Sequence, residues 1–345
     1  MALDFNKRII GYGAWNLHFD KDLGAEPASD GLTFLSYLRA WGYYKVNHIK
    51  VVLFRKSTAE GLPEGRARTL YKPDGTINQV LIDNLKRLVN EAAANGFWVQ
   101  ICIWHHHAIA TEDRSEYPEN APAILAPNWG QPNDGLRLRM YYSPVGREAV
   151  FAEHRKLFRK IGAEFGSYSN VIFELGNELR VWQSSAGDEG KMVDERNLRS
   201  WLQSMLAELR GAAPNPIRVC CSTGIDNENL MFRPGALAVD FFDFHAGQWN
   251  MSDKFDNDYP IGIRQSRERV QGYKAGAKLL IDADGLFGGE SFQTSGTFAQ
   301  YMERWATEAF RRGESFITKG YYPPAIAISR PMLDSLERAS NAVPE

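Results

Sequence analysis

The segment from Val171 to Glu178 ends in an amide and a carboxylate, two groups that could do chemistry together. Its apolar residues include β-branched and aromatic types, a pattern typical of a strand that is covered on both faces. In a barrel of parallel strands the active site gathers at the carboxyl ends of the strands, where Asn177 and Glu178 would then lie. The alternative is structural: Asn177 caps a following helix, and the helix dipole favours Glu178 in the first turn.

Other candidate strands also end in polar or aromatic residues. These are Trp15 and Asn16, Arg55, Trp104 to His107, Asp243 and His245, and Asp282 and Asp284. Two carboxylates across a cleft can hydrolyse a glycosidic bond, because one protonates the leaving oxygen while the other attacks the anomeric carbon or activates water.

The tryptophans near these strand ends are candidates for binding a sugar, because an indole face suits the apolar CH face of a pyranose ring. The candidates are Trp15, Trp104, Trp129, Trp182 and Trp249. For each of them, packing in the core or in a loop remains the alternative. Packing is the preferred role for Trp41, Trp201 and Trp305.

The elements that must position these residues alternate between strand and helix. Besides the strand before Asn177, strands are predicted at 7–12, 48–54, 97–104, 217–222, 239–244, 278–281 and 316–320. Helices are predicted at 31–44, 146–165, 195–211, 263–275, 298–312 and 325–339. A further helix has its apolar face between residues 77 and 92 and is predicted to end at Asn95-Gly96, where Gly96 supplies a left-handed cap. Helix-to-strand turns are short, whereas several strand-to-helix loops are long, notably 105–145 and 245–262. This asymmetry favours an α/β protein with one (β/α)8 TIM barrel over residues 1–345.

Composition narrows the class of partner. The 345 residues carry a formal net charge of -2, with basic and acidic residues interspersed, so we expect no nucleic acid and no anionic lipid as partner. The longest apolar run is shorter than the roughly 20 residues of a membrane span. We therefore expect a small or neutral molecule as the partner, and the sequence leaves the oligomeric state open.

No cofactor is expected, since the sequence lacks a Gly-rich phosphate fingerprint and a C-x-x-C metal spacing. Cys102, Cys220 and Cys221 lie in apolar segments and are predicted to be buried free thiols. The first six residues lack the apolar core of a secretory signal. The chain is therefore cytoplasmic if it is complete, and secreted or periplasmic if a signal peptide was removed.

Several of these motifs, in this order, resemble the clan A glycoside hydrolases and especially the cellulase-like family 5. The Asn177-Glu178 pair resembles the acid/base strand of that family, and Trp104-His105-His106 resembles its third-strand histidine motif. Lys50 stands where the second strand usually carries Arg. His245 falls where the sixth strand carries His, although the Tyr often found two residues later is Gly247 here. The match is piecemeal over residues 11–285.

The resemblance implies a β-linked glycan or oligosaccharide as substrate and a retaining double displacement. Glu178 would be the acid/base, and Asn177 would bind the sugar 2-hydroxyl. Asp284 stands where the family places its nucleophilic Glu, with Asp282 and Glu290 as alternatives. Other implied or candidate substrate contacts are His105, His106, His245, Trp15, Asn16, Trp104, Trp182, Trp249 and Lys50.

Two departures keep other functions open. The seventh strand lacks the Glu, and the eighth lacks the Trp that often floors the sugar site, although Tyr321 or Tyr322 could substitute. A carbohydrate-binding pseudoenzyme is therefore the alternative. A third possibility is a metal-dependent barrel hydrolase, for which His105 and His107 would converge by strand alternation and be joined by His245 and an Asp.

One prediction concerns a buried charge. Glu174 shares a strand face with Glu178 and would point into the barrel, where an unpaired carboxylate is costly. We therefore predict a cationic partner for Glu174, such as Lys50. An alternative partner for Lys50 is the nucleophile.

Overall fold

Eight parallel strands close into a barrel in which each strand pairs with its neighbours in chain order and β8 pairs with β1. The computed structural model describes residues 3–4, 7–13, 35, 39–40, 42–54, 70–110, 117–118, 120–126, 141–177, 179, 195–223, 237, 239–245, 278–282, 296–319 and 326–345. For some of these, among them His107, His245 and Asp282, the description covers only the backbone. The predicted (β/α)8 barrel is confirmed.

The strands are short and begin close to where the sequence predicts them. They are β1 Ile10–Gly13, β2 His48–Val52, β3 Trp98–Cys102, β4 Val171–Glu174, β5 Arg218–Thr223, β6 Phe241–His245, β7 Lys278–Asp282 and β8 Ser315–Lys319. The predicted strands that ended at Phe54 and Trp104 were too long, since β2 ends at Val52 and β3 at Cys102.

The described helices fall between the strands. They are α1 Gln79–Ala94, the single turn α2 His107–Ala110, α3 Glu148–Phe165, α4 Glu195–Ala212, α5 Gly296–Arg311 and α6 Ile326–Ala342, with a 3-10 turn at Ala123–Leu125. The Asn78 side chain caps α1 by accepting a hydrogen bond from the Val80 N–H at 3.2 Å. As predicted, Gly96 follows α1 with a positive φ of 76°. Among the described residues, no helix is long and apolar enough to cross a membrane.

The strands of the barrel pack against one apolar core on their outer side and against another on their inner side. The larger one lies between the barrel wall and the helices, where α1, α3 and α4 bury one face each. The smaller one fills the inside of the barrel with Ile9, Trp98, Ile172, Cys220, Phe241, Leu280 and Ile317. The predicted free thiols Cys102, Cys220 and Cys221 are confirmed, and all three are buried.

Polar side chains occupy the rest of the described barrel interior. Those on β2 to β6 are completely buried: His48, Lys50, Gln100, Glu174, Ser222 and Asp243. His48 fits because β1 carries Gly11 beside it, and a Cβ at Gly11 would lie 2.5 Å from His48 Nδ1. Buried polar groups are costly unless they bond to one another, so this layer must form a network.

Candidate active site

The carboxyl ends of β3 and β4 are joined beyond the last strand residues. The Asn177 backbone N–H donates to the Trp104 carbonyl at 2.8 Å, and the His106 N–H donates to the Asn177 carbonyl at 3.2 Å. His105 and Asn177 thereby form an isolated parallel bridge. Asn177 is thus held by strand-like pairing, as a continuation of β4. Glu178 follows it directly in the chain and lies outside the described residues.

The side-chain amide of Asn177 is oriented by one partner on each end. Its Oδ1 accepts a hydrogen bond from Lys50 Nζ at 3.0 Å, and its Nδ2 lies 3.1 Å from His105 Nδ1. An ammonium group can only donate, so the oxygen of the amide must face Lys50 and the NH₂ must face His105. His105 Nδ1 is then an acceptor, and a neutral His105 carries its proton on Nε2.

Lys50 binds two carboxylates as well as Asn177. Its Nζ lies 2.7 Å from Asp243 Oδ2 and 3.1 Å from Glu174 Oε2, and all three side chains are fully buried. The three contacts with Asp243, Glu174 and Asn177 match the three N–H bonds of an ammonium group. The predicted pairing of Glu174 with Lys50 is confirmed. This burial favours a role for Lys50 in holding Asn177 over direct contact with a sugar.

The network continues toward the bottom of the barrel through Gln100. Its Nε2 donates to Glu174 Oε2 at 2.8 Å and to Asp243 Oδ2 at 2.7 Å. Its Oε1 lies 2.9 Å from His48 Nε2, so His48 must carry a proton there. Burial lowers the pKa of His48 to about 4, which keeps its imidazole neutral. Asp243, predicted at the mouth of the site, belongs to this buried layer instead.

An aromatic cluster packs against the outside of β3. Trp104 is fully buried, and its ring stacks on Phe54 with centroids 3.8 Å apart. His154 contacts Trp104 at 4.3 Å between centroids and accepts a hydrogen bond from Trp201 Nε1 at 2.8 Å. The expectation that Trp104 stacks on a sugar is not supported, because its side chain is fully buried and Phe54 already stacks on one face of its ring. The packing role predicted for Trp201 agrees with its complete burial.

His154 lies inside this cluster as a neutral ring. Its Nδ1 accepts from Trp201, so its proton is on Nε2, which has no hydrogen-bond partner among the described residues. Burial lowers the pKa of His154 to about 3. Protonating this imidazole would place an uncompensated charge among aromatic rings, which is strongly unfavourable.

Because of His48 and His154, stability is expected to fall as the pH drops from about 6.5 toward 4. Both pKa values are lowered in the folded protein, to about 4 and about 3, from an ordinary value of 6.5. The unfolded chain therefore binds protons in this range that the folded chain does not, so stability rises with pH by up to about 1.4 kcal/mol per unit for each residue. Urea unfolding from pH 4.5 to 7 measures this slope. His154→Phe should make it shallower, and an equal slope in the variant would contradict the assignment.

The remaining predicted site residues are only partly described. Asp282 ends β7, and its backbone pairs with His245 at the end of β6 and with Ile317 on β8. The others lie outside the described residues: Trp15, Asn16, Arg55, Trp129, Trp182, Glu178, Trp249, Asp284, Glu290, Tyr321 and Tyr322.

The proposed convergence of His105 and His107 was wrong in its geometry. That argument required a strand through His107, but β3 ends at Cys102 and His107 begins the turn α2. In addition, Asn177 occupies Nδ1 of His105. Within the part of the chain that the structure describes, no group of three or more His, Cys, Asp or Glu side chains is placed to hold a metal ion.

A comparison with protein families decides which barrel family this is. The model for cellulase, glycosyl hydrolase family 5, matches residues 42–268, which is more than half of the chain. The chain belongs to glycosyl hydrolase family 5. It is therefore a glycosidase, and the resemblance based on Asn177, Glu178 and the third-strand histidines is confirmed at the level of the family. A search of curated protein sequences finds no match.

Solved structures of family 5 enzymes share the fold at low sequence identity. A GH5-4 broad-specificity endoglucanase from an uncultured bacterium is 12% identical, with a TM-score of 0.64 over 99% of this chain and 95% of that one. The endo-glycoceramidase II of Rhodococcus sp. is 14% identical, with a TM-score of 0.64 over 96% of this chain and 80% of that one. A family 5 xyloglucanase from Paenibacillus pabuli is 11% identical, with a TM-score of 0.57 over 98% and 99%.

Sequence reasoning did not single out Gln100, His48 or Tyr142. The signal for Gln100 is a polar residue between apolar neighbours in a buried strand, at even spacing from Trp98 and Cys102. His48 and Lys50 share that spacing on β2. Tyr142 ends a long loop and gives no periodic signal, so its position next to His106 depends on tertiary packing.

Proposed function

We propose that this family 5 glycosidase hydrolyses a β-linked glycan or oligosaccharide by a retaining double displacement, with Glu178 as the acid/base. The observation that carries the proposal is the fixed amide of Asn177, which Lys50 and His105 hold from opposite ends immediately before Glu178. A rigid amide at that position supports a hydrogen bond to the sugar 2-hydroxyl that strengthens in the transition state.

In the proposed first step, the carboxylic acid of Glu178 gives its proton to the glycosidic oxygen while a second carboxylate attacks the anomeric carbon. The leaving group departs as an alcohol, and a covalent glycosyl-enzyme remains. In the second step the Glu178 carboxylate takes a proton from water, the water oxygen attacks the anomeric carbon, and the nucleophilic carboxylate is released. Glu178 returns to its acid form, so the cycle balances without a cofactor.

Asp284 is the favoured nucleophile in this proposal, with Asp282 and Glu290 as the other candidates. All three follow or end β7, the strand next to β6 in the closed barrel. A retaining pair needs carboxyl groups about 5 to 5.5 Å apart, and an Asp is one methylene shorter than the usual Glu. The backbone after β7 would therefore have to approach Glu178 more closely, since a longer gap admits water and leads to inversion.

Other substrate contacts in the proposal come from His105, His106, His245, Trp15, Asn16, Trp182 and Trp249. β-Glucan chains are the first substrates to examine, because the solved structures similar to this chain include a broad-specificity endoglucanase and a xyloglucanase. A family 5 enzyme from Prevotella bryantii, 13% identical, has also been crystallised, as a mutant, with a xyloglucan tetradecasaccharide. Glycolipid glycans come next, because of the endo-glycoceramidase.

The proposal is tested by turnover on carboxymethylcellulose, xyloglucan, mixed-linkage β-glucan and glycosylceramide, followed by trapping of the intermediate. An activated 2-deoxy-2-fluoro β-glycoside of the accepted sugar should label the nucleophile, and mass mapping of the digested protein should place the label on Asp284. A label on Asp282 or Glu290 would identify that residue as the nucleophile in place of Asp284. A label on any other residue would overturn the assignment of the nucleophile to this segment.

A carbohydrate-binding protein without turnover is the second candidate. It is favoured by the absence of Glu on β7 and by the absence of Trp in the segment that contains β8. Binding to a glycan by calorimetry without release of reducing ends from any substrate would support it. Turnover that is lost in Glu178→Gln while binding is retained would exclude it.

A further inference from the structure

The hydroxyl of Tyr142 lies between two side chains that follow β3. It is 2.9 Å from Trp104 Nε1 and 3.1 Å from His106 Nδ1. Tyr142 and Trp104 are fully buried, and His106 is 1% exposed. The backbones of Trp104 and His106 bond to Asn177, but their side chains and that of Tyr142 lie outside the side-chain network of Lys50, His105 and Asn177. The Tyr142 hydroxyl is therefore a second side-chain connection to the third-strand histidines.

The directions of these two hydrogen bonds follow from their donors. An indole N–H can only donate, so Trp104 gives its proton to the Tyr142 oxygen. Burial raises the pKa of Tyr142, so the phenol keeps its own proton and needs an acceptor for it. His106 Nδ1 is the acceptor. If His106 donated instead, the buried hydroxyl proton would have no acceptor among the described residues, which is unfavourable.

We propose that Tyr142 is a positioning residue that holds His106 as the neutral tautomer with its proton on Nε2. His105 is held in the same tautomer by Asn177, so two successive imidazoles each engage Nδ1 with the protein and carry an N–H on Nε2. The proposed function makes His106 a substrate contact. The sugar-binding part of this inference rests on the proposed function, whereas the tautomer of His106 does not.

Tyr142 is itself held in place by the aromatic cluster. Its ring lies 4.9 Å from that of Trp201 and 5.1 Å from that of Tyr141. Trp104, which donates to its hydroxyl, is fixed by Phe54 and His154. The hydroxyl therefore cannot turn away from His106 without repacking the wall outside β3.

The chain provides a matched control in the neighbouring residue. Tyr141 is also fully buried, and its hydroxyl donates to the Leu125 carbonyl at 2.7 Å. Tyr141→Phe removes one buried hydrogen bond from the same cluster, whereas Tyr142→Phe removes two. Both variants should lose thermal stability, Tyr142→Phe more than Tyr141→Phe, and only Tyr142→Phe should affect His106.

Histidine-selective ¹⁵N NMR of the free protein reports the tautomer directly, and His106→Gln assigns the resonances by their loss. The wild type should show a non-protonated Nδ1 and a protonated Nε2 at His106. Tyr142→Phe should shift both resonances toward a mixture of tautomers, and Tyr141→Phe should leave them unchanged. A protonated Nδ1 at His106 in the wild type would overturn the proposal, and this result does not depend on the folding of any variant. Unchanged resonances in Tyr142→Phe would do so as well.

Activity supplies a second readout. On the substrate found in the glycan panel, kcat/KM should fall about tenfold in Tyr142→Phe and less than about twofold in Tyr141→Phe. Equal losses in both variants would show a general packing effect and would contradict positioning of His106. Absence of turnover on every glycan would overturn the proposed function and the sugar-binding part, while the NMR result would still decide the tautomer.

Discussion

Replacing Glu178 with glutamine is expected to lower kcat on a natural glycan by about 10²- to 10⁴-fold. The amide keeps the shape of the side chain but cannot give a proton to the leaving oxygen. An aryl glycoside with a strongly acidic phenol needs no such proton, so its first step should be slowed much less. Rates on a polysaccharide and on a dinitrophenyl β-glycoside measure this difference, and added azide should restore turnover of the latter by replacing water.

The control for this variant is Glu148→Gln, which changes an exposed carboxylate in the first turn of α3. It should leave kcat unchanged on both substrates. The assignment of Glu178 as acid/base would be contradicted if Glu178→Gln lowered kcat/KM, which reports the first step, equally for the two substrates. It would also be contradicted if the variant kept more than about a tenth of the wild-type rate on the polysaccharide.

Replacing Lys50 with methionine is expected to destabilise the fold by about 3–5 kcal/mol. Methionine has a similar length and fits the volume, but it removes the ammonium group that binds Glu174 and Asp243 inside the barrel. Two buried carboxylates would then lose the cation they share. The free energy of unfolding in urea at pH 7 measures the loss.

A double variant separates the charge from the packing of Lys50. Adding Asp243→Asn to Lys50→Met removes one of the two carboxylates, so the double variant should be more stable than the sum of the single effects. Lys50→Arg keeps the charge and serves as the control, with a smaller loss of stability. A loss below about 1 kcal/mol in Lys50→Met would contradict the account of the buried network, since removing one partner of a buried pair costs several times that amount.

The barrel could be predicted because its strands carry a strong local signal. The run before Asn177 is apolar on both faces and ends in polar groups, which only a strand covered on both faces explains well. The pairing of Glu174 with Lys50 was also predictable, since alternation placed the carboxylate inside the barrel and burial demanded a cation. The predicted strand ends were less accurate at Phe54 and Trp104, because apolar residues continue past the last strand residues into the outer core.

Other features of the site depend on packing between distant segments. Tryptophan is a residue type suited to stacking on a sugar. Trp104 is instead packed against Phe54 and against His154 on α3, and no local sequence pattern reveals these contacts. Gln100 required the register of β3 against β4 before its contacts with Glu174 and Asp243 could be known. The pairing of His105 with His107 failed because strand alternation was extended past the end of β3.

The configuration of the first product tests the central claim most directly. Hydrolysis of a β-glycan is followed by ¹H NMR from the first minutes, before mutarotation mixes the anomers. A double displacement by Glu178 and a carboxylate at or after the end of β7 requires that the β-anomer appears first and that the α-anomer grows in only by mutarotation. An α-anomer formed first would contradict the retaining mechanism, and the absence of any product would contradict catalysis by this site.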